Sequence, residues 1–266
     1  MPVQVQSFFH RDSNTFSYLV SDPASGEAAL IDPVLDYDPD TDASSESPLR
    51  AALQAIEQQG VQLRWLLETH AHADHVSAGR RLKQHFPQAT LAIGEGIRAV
   101  QATFAPRYGL QLPGADEIFD HLFSDGETFT LGELRCQVIA VPGHTSDSIA
   151  YLIDDALFTG DSLFMPDGGT ARCDFPGGDA AQLYRSIQRL LALPDATRVF
   201  VCHDYGPGGR DFANETTIGE QRAHNIHVHD GVAEAEFVSV RQARDATLEE
   251  PKLMQPAVKA NIQGGA

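Results

Sequence analysis

The sequence predicts an α/β fold, a four-layer αββα sandwich in which two sheets pack face to face between outer helices. Short apolar strands bounded by turn formers come in two similar rounds, one in each half of the chain, and each round carries helices with apolar residues at helical spacing. The chain of 266 residues, 42% of them hydrophobic, is long enough to bury the core of one large domain.

The first round opens with the runs VQVQSFF, FSYLV and EAALID, which alternate in polarity and predict an antiparallel meander. The acidic stretch DYDPDTDASSESP follows as a loop. LRAALQAIEQQG has helical periodicity and a closing Gly60, and is expected to pack on the meander. LRWLLETH is a buried strand, and SAGRRLKQHF is the helix that leaves it. The second round has the strands CQVIAVPG, SIAYLI and ALFTGD, the helix AAQLYRSIQRLLAL and the strand RVFVCHD. No internal repeat proves the symmetry of the two rounds. The reading is of one domain over 1–266, with a core at about 5–230 and a short C-terminal extension over 231–266. That tail is weakly patterned, and its end, NIQGGA, is expected to be mobile.

A formal net charge of −18 argues against nucleic acid or an anionic membrane surface as a partner, since both need a field of opposite sign. An anionic substrate must then be drawn in by a local arginine. Three scattered cysteines, Cys136, Cys173 and Cys202, make neither a disulfide framework nor a thiolate zinc site, which points to a reducing cytoplasm. The first residues lack a basic segment followed by an apolar one, and no run approaches the length of a membrane span. A homodimer is compatible with the sequence.

The chemistry concentrates in HAHADH at 70–75. His70 and His72 flank the small Ala71 at a strand's end, and Asp74 and His75 sit at the mouth of the next helix. Three later segments repeat the theme: VPGHTSDS puts His144 in a tight turn, LFTGDSLF ends a strand on Asp161, and VFVCHDYG ends another on His203. Each candidate ligand follows an apolar strand, as expected of a site assembled from loops on a rigid scaffold. The spacing offers ligands for two ions, and in the usual affinity order Zn²⁺ outcompetes Fe²⁺ at such nitrogen and oxygen donors.

In that order, H-x-H-x-D-H, G-H-T, G-D-x-L and H-D-Y resemble the signature of the metallo-β-lactamase superfamily over about residues 5–230. The resemblance implies an αββα sandwich with the metal site at one edge. In the dinuclear hydrolases of that superfamily, the matches of His70, His72 and His144 hold one ion, those of Asp74, His75 and His203 the other, and that of Asp161 bridges. Within it, MPDGGTARCDFPGG is similar to the persulfide dioxygenases, particularly their bacterial branch. IDPVLDYDP, GEGIRAVQATFAP, HDYG, TTIGEQRAHN and PKLMQPAVKAN agree.

That likeness implies one Fe(II) per chain, held by His70, His144 and Asp161, a facial set of two imidazoles and one carboxylate that leaves positions for water, thiolate and O2. Zinc is the alternative metal. His72, Asp74, His75 and His203 then support the ligands or hold a second ion. The implied reaction oxidises glutathione persulfide with O2 to sulfite and glutathione. Arg172, whose fork matches a carboxylate, is the expected clamp for glutathione, with simple pairing to Asp174 as the competing role. Tyr205 is expected to lend a hydroxyl to the catalytic pocket, and Arg222 is an outer substrate candidate.

Cys173, beside Arg172, reads either as a thiol near an oxidising iron or as a packed one. His224, His227 and His229 in HNIHVH look like a ligand cluster but lack a strand-end context, which favours surface or core roles. The rival activity is that of glyoxalase II, a hydroxyacylglutathione hydrolase with a dinuclear site. It favours H-E-Y over HDY and has a basic helical C-terminal domain, which the acidic tail here does not suggest.

Overall fold

The computed structural model describes residues 2–266. Strands β1 (Gln4–His10), β2 (Thr15–Ser21) and β3 (Glu27–Ile31) form the expected antiparallel meander. A ribbon of β4 (Val34–Asp38) and β5 (Ala43–Ser45) precedes α1 (Leu49–Gln59), which Gly60 closes in the left-handed region at φ 64°. Then come β6 (Gln62–Leu67), the two-residue β7 (Val76–Ser77), α2 (Gly79–His85), β8 (Thr90–Gly94), α3 (Ile97–Phe104), α4 (Ala115–Ile118) and β9 (His121–Phe123). The second half runs through β10 (Thr128–Leu131), β11 (Leu134–Ala140), β12 (Ile149–Ile153), β13 (Ala156–Phe158), α5 (Ala180–Leu191), β14 (Arg198–Phe200) and β15 (Glu215–Thr217). Three helices follow: α6 (Ile218–His224), α7 (Glu234–Asp245) and α8 (Met254–Asn261).

The strands form two six-stranded sheets, β1-β2-β3-β6-β8-β9 and β10-β11-β12-β13-β14-β15, and a small third sheet, β5-β4-β7. Three apolar cores fill the spaces between four layers. Phe16, Tyr18, Val20, Val138, Tyr151 and Phe158 lie between the two large sheets. Leu19, Leu30, Leu66 and Leu82 back the first sheet against α1, α2, α3 and α8, while Ile139, Leu183, Ile187 and Phe237 back the second against α5, α6 and α7. The period-2 alternation of strands explains the division: in β2, Tyr18 and Val20 point into the central core and Leu19 into the outer one. This is the αββα sandwich the sequence predicts.

Two expectations are corrected. The acidic stretch after residue 35 is not a plain loop but contains β4 and β5, whose turn is tied by Asp38 accepting from the Asp40 amide (2.9 Å) and the Thr41 hydroxyl (2.8 Å). The tail is not loose. Ile262 is fully buried, the Arg80 amide donates to Gly264 O (2.9 Å), and the Ala266 amide donates to Ser77 O (3.1 Å). Gly265, at φ 89°, passes so close to Ser77 that a Cβ would lie 2.4 Å from its carbonyl oxygen, so only glycine fits. No helix among the described residues is long and apolar enough to cross a membrane.

Candidate metal centre

The loop after β6 is shaped by two buried carboxylates. Asp32 accepts from the Thr69 amide (2.7 Å) and the Thr69 hydroxyl (2.9 Å), while Asp147 accepts from the Ala71 amide (2.8 Å). Asp32 itself sits in the left-handed region at φ 46°, a conformation Asp tolerates better than most residues. These bonds turn the chain so that His70 and His72 project toward the second sheet. His144 comes from the turn after β11, where Gly143 at φ 147° lies so close to Leu183 that a Cβ would be 2.3 Å from its Cα. Asp161 follows β13 and His203 follows β14, and the loops after these strands bring the candidate ligands together.

Hydrogen bonding fixes which nitrogen of each imidazole is free. Thr69 spends its hydroxyl proton on Asp32, so His70 must donate from Nδ1 to Thr69 Oγ1 (3.0 Å). His144 donates from Nδ1 to Arg172 O (2.7 Å), and His203 from Nδ1 to Asn14 O (3.2 Å). His75 directs Nδ1 to Asp74 (3.3 Å), whereas His72 donates from Nε2 to Asp32 (3.1 Å). In its neutral form each ring thus keeps one nitrogen lone pair. His70 Nε2, His72 Nδ1, His75 Nε2, His203 Nε2 and Asp161 Oδ1 are buried with no hydrogen-bond partner. Buried unpaired acceptors are costly unless a cation satisfies them, and imidazoles anchored through the other nitrogen are the usual form of metal ligands. The residues fit a metal.

The donors fall into two groups. Ligand atoms of His70, His144 and Asp161 lie within 4.8 Å of one another, as do those of His72, Asp74, His75 and His203. The Asp161 carboxylate stands between them. Its Oδ2 faces His144 Nε2 (3.5 Å) and His70 Nε2 (3.9 Å), and its Oδ1 faces His203 Nε2 (3.2 Å). His72 Nδ1 is as free as any of the other lone pairs, so the geometry allows it to act as a ligand as well as a support.

Burial pushes His70 well below the usual imidazole range, and neighbouring His72 adds to the effect. Burial also opposes charge on His203, but Asp161 and then Asp74 overcome it and hold the ring at about 10. Asp161, despite burial, is held well below the carboxylate range chiefly by His203 and His144. Glu68, beneath the loop, is pushed up to about 8 by burial and by Asp32. A divalent cation competes with the His203 proton for the same place.

Of the donors, Asp74, His144, Asp161 and His203 line a cavity of about 380 Å³, a size suited to a small organic ligand. Phe164, Phe175 and Tyr205 give it aromatic walls. Tyr205 stacks over His203 with centroids 6.1 Å apart and leaves much of its ring exposed.

Other candidates resolve differently. Arg172 lines the cavity, but Nε and Nη2 each hold Asp174 at 2.6 Å and Nη1 donates to Glu249 O (2.7 Å), so the two-pronged face expected for substrate is taken. Arg222 lies outside the cavity, paired with Asp195 and Asp230 at 3.0 Å each. Cys173 is buried in the outer core with its thiol pushed up to about 12 by burial, away from the cavity lining. His227 accepts from the Thr170 amide (3.0 Å), while His224 and His229 are exposed. Among the described residues these three do not form a ligand cluster.

Asp32, Asp147 and Asn261 were not singled out from the sequence. Asn261, in α8, donates to His72 O (2.8 Å) and His75 O (2.9 Å) and accepts from the Ser77 amide (2.8 Å), clamping the ligand loop from the far end of the chain. A strand-end position could have flagged Asp32, since it follows β3 as the ligands follow β6, β13 and β14. The tail, expected to bring no basic residues to the site, contributes Arg241 and Arg244 to the cavity wall.

The family model described as Metallo-beta-lactamase superfamily matches residues 10–203. A probable metallo-hydrolase of Burkholderia pseudomallei is 44% identical over 98% of this chain and 92% of its own length. The beta-lactamase hydrolase-like protein of Xylella fastidiosa is 45% identical over 98% of this chain, which spans only 61% of that protein. The human mitochondrial persulfide dioxygenase ETHE1 is 30% identical over 99% of this chain and 89% of its own length. The crystal structure of ETHE1 from Myxococcus xanthus aligns with a TM-score of 0.79 at 34% identity, covering 99% of this chain and all of that one. The chain belongs to the metallo-beta-lactamase superfamily, and persulfide dioxygenases are among its relatives.

Proposed function

We propose that the protein is an iron-dependent persulfide dioxygenase that converts glutathione persulfide, O2 and water into glutathione and sulfite. The observation that carries this reading is the cluster of His70, His144 and Asp161, two imidazoles and one carboxylate, of which His144 and Asp161 line a cavity sized for a small thiol. The likeness to ETHE1 over nearly the whole chain supports it. These three residues would hold the iron, which supplies the redox chemistry that joins a persulfide sulfur to oxygen.

The chain's own groups set the conditions for that step. Thr69 and the Arg172 carbonyl hold the His70 and His144 rings by their Nδ1 atoms, which keeps both Nε2 lone pairs aimed at the ion. Phe164 and Phe175 exclude water from the reacting sulfur. Tyr205, stacked on His203, would offer its hydroxyl to the substrate at the cavity mouth.

A second reading, a hydrolase of glutathione thioesters with two metal ions, is favoured by the second donor group of His72, Asp74, His75 and His203 and by the metallo-hydrolase relative. Oxygen uptake separates the two. The anaerobically purified protein is expected to consume one O2 for each sulfite formed from glutathione persulfide. Rapid hydrolysis of lactoylglutathione with no oxygen uptake would assign the protein to the second reading.

A further inference from the structure

A second cavity, of about 400 Å³, also touches the donors and shares no lining residue with the first. His75 is in its wall. That side chain is 1% exposed, belongs to the second donor group, and keeps Nε2 without a hydrogen-bond partner. At the same cavity His10, at the end of β1, Asp12, in the turn after it, and Asp36, in β4, bring one donor atom each within 4.8 Å of one another. His10 Nε2 lies 2.9 Å from Asp36 Oδ1. Asp12 is exposed, and among the described residues its carboxylate takes part in no hydrogen bond or ion pair. Hydrogen bonds run from this cluster to the donors: His10 Nδ1 to Ser13 Oγ (2.7 Å), Ser13 Oγ to Thr15 Oγ1 (2.7 Å), and Thr15 Oγ1 to Nδ1 of both His75 and His203 (3.3 Å each).

We propose that this second cavity is the port through which the metal enters, and that His10, Asp12 and Asp36 bind the incoming divalent cation on its way to His75. Two carboxylates and an imidazole are donors that such a cation accepts. The field favours this route. Asp12, Asp36 and Asp38 line the second cavity with no Lys or Arg, whereas Arg172, Arg241 and Arg244 are in the wall of the first. A transit site must also bind less tightly than its destination. Asp12 is solvated and the cluster offers three donors, so an ion held there is screened and loosely bound. His72, Asp74, His75 and His203 offer four donors, three of them imidazoles buried with an unpaired nitrogen, and so draw the ion inward. The port rests on the metal reading of the donors and not on the reaction that the metal serves.

The test is the rate of metal exchange. Loading of the metal-stripped protein with Co²⁺ is followed by the visible absorption of the bound ion, and release is followed into chelator at concentrations where the rate no longer depends on it. Asp12→Asn is expected to slow loading and release by the same factor, about tenfold, because entry and exit cross one barrier. The dissociation constant then stays unchanged. Added salt should slow loading of wild type more steeply than that of the variant. Asp12→Glu, which keeps the charge, should restore both rates, and Asp36→Asn should repeat the loss. Glu57→Gln removes the same charge from an exposed position on α1 outside both cavities and is expected to change neither rate. The proposal is overturned if Asp12→Asn exchanges metal at wild-type rates, or if Glu57→Gln slows loading as much. It is also overturned if loading slows with release unchanged, which would make Asp12 part of the resting site. Oxygen uptake is not measured, so the fate of the dioxygenase reading leaves this outcome untouched.

Discussion

The two halves of the candidate metal centre share Asp161 but balance their charge differently. Around His70 and His144 the Asp161 Oδ2 atom is the only carboxylate oxygen within 4.0 Å of the Nε2 atoms among the described residues, at 3.9 and 3.5 Å, so a cation there meets two imidazole nitrogens and one carboxylate. Around His203 there are two carboxylates, Asp161 at 3.2 Å and Asp74 at 3.5 Å, and the ring can answer them with its own proton. His203 can hold a proton where a cation would sit, whereas His70 Nε2 in the first half and His72 Nδ1 and His75 Nε2 in the second stay unpaired without a cation. A donor set with ligands for two ions therefore need not value them equally.

Asp161→Ala removes the residue common to both halves and has the largest expected effect, loss of bound metal and of turnover together. Elemental analysis and oxygen uptake on the same sample check this, and retained iron with lost turnover would show that Asp161 is not a ligand. His203→Ala and His72→Ala probe the second half. If it only supports the first, each weakens metal binding by about 10- to 100-fold without abolishing it, as measured by competition with a chelator. Equal loss in His70→Ala and His203→Ala would erase the contrast between the halves.

Asn261→Ala acts on the shared loop from outside. It leaves two carbonyls and one amide of the ligand loop without partners, at about 1–3 kcal/mol for each buried group left unpaired. Thermal unfolding and chelator competition are both expected to shift. A change in neither would mean that the tail does not brace the site.

Glu68→Gln gives the smallest effect and a pH signature. Because the folded chain holds the Glu68 proton up to about 8 while the unfolded chain releases it near the ordinary value of 4.5, native stability contributed by this group falls as pH rises between those limits. The amide resembles the protonated acid in shape, so the variant is expected to unfold at a temperature that declines less from pH 5 to pH 8. An identical decline would show that Glu68 is ionised throughout.

The candidate ligands stood out because each follows an apolar strand, and strand ends are where a sandwich gathers its loops. The layers were legible because two periods, one helical and one of strands, recur in each half. The tail was not, for a specific reason: the buried face of α7 consists of Phe237 with the ion pair of Arg241 and Asp245, so charged residues occupy positions that an apolar pattern would have marked. Asp32, Asp147 and Asn261 escaped notice for a related cause. Their function is to hold backbone, and hydrogen bonds between residues as distant as Asn261 and His72 leave no local spacing to read. The role of Arg172 depended on whether Asp174 would claim its fork, which only geometry decides.

The most direct measurement is the metal content of protein purified without oxygen, read together with its oxygen uptake on glutathione persulfide. The contrast between the two halves predicts close to one iron per chain, retained in His203→Ala at reduced affinity, and one O2 consumed for each sulfite formed. Two tightly held ions per chain, both lost in His203→Ala, with thioester hydrolysis in place of oxygen uptake, would contradict it.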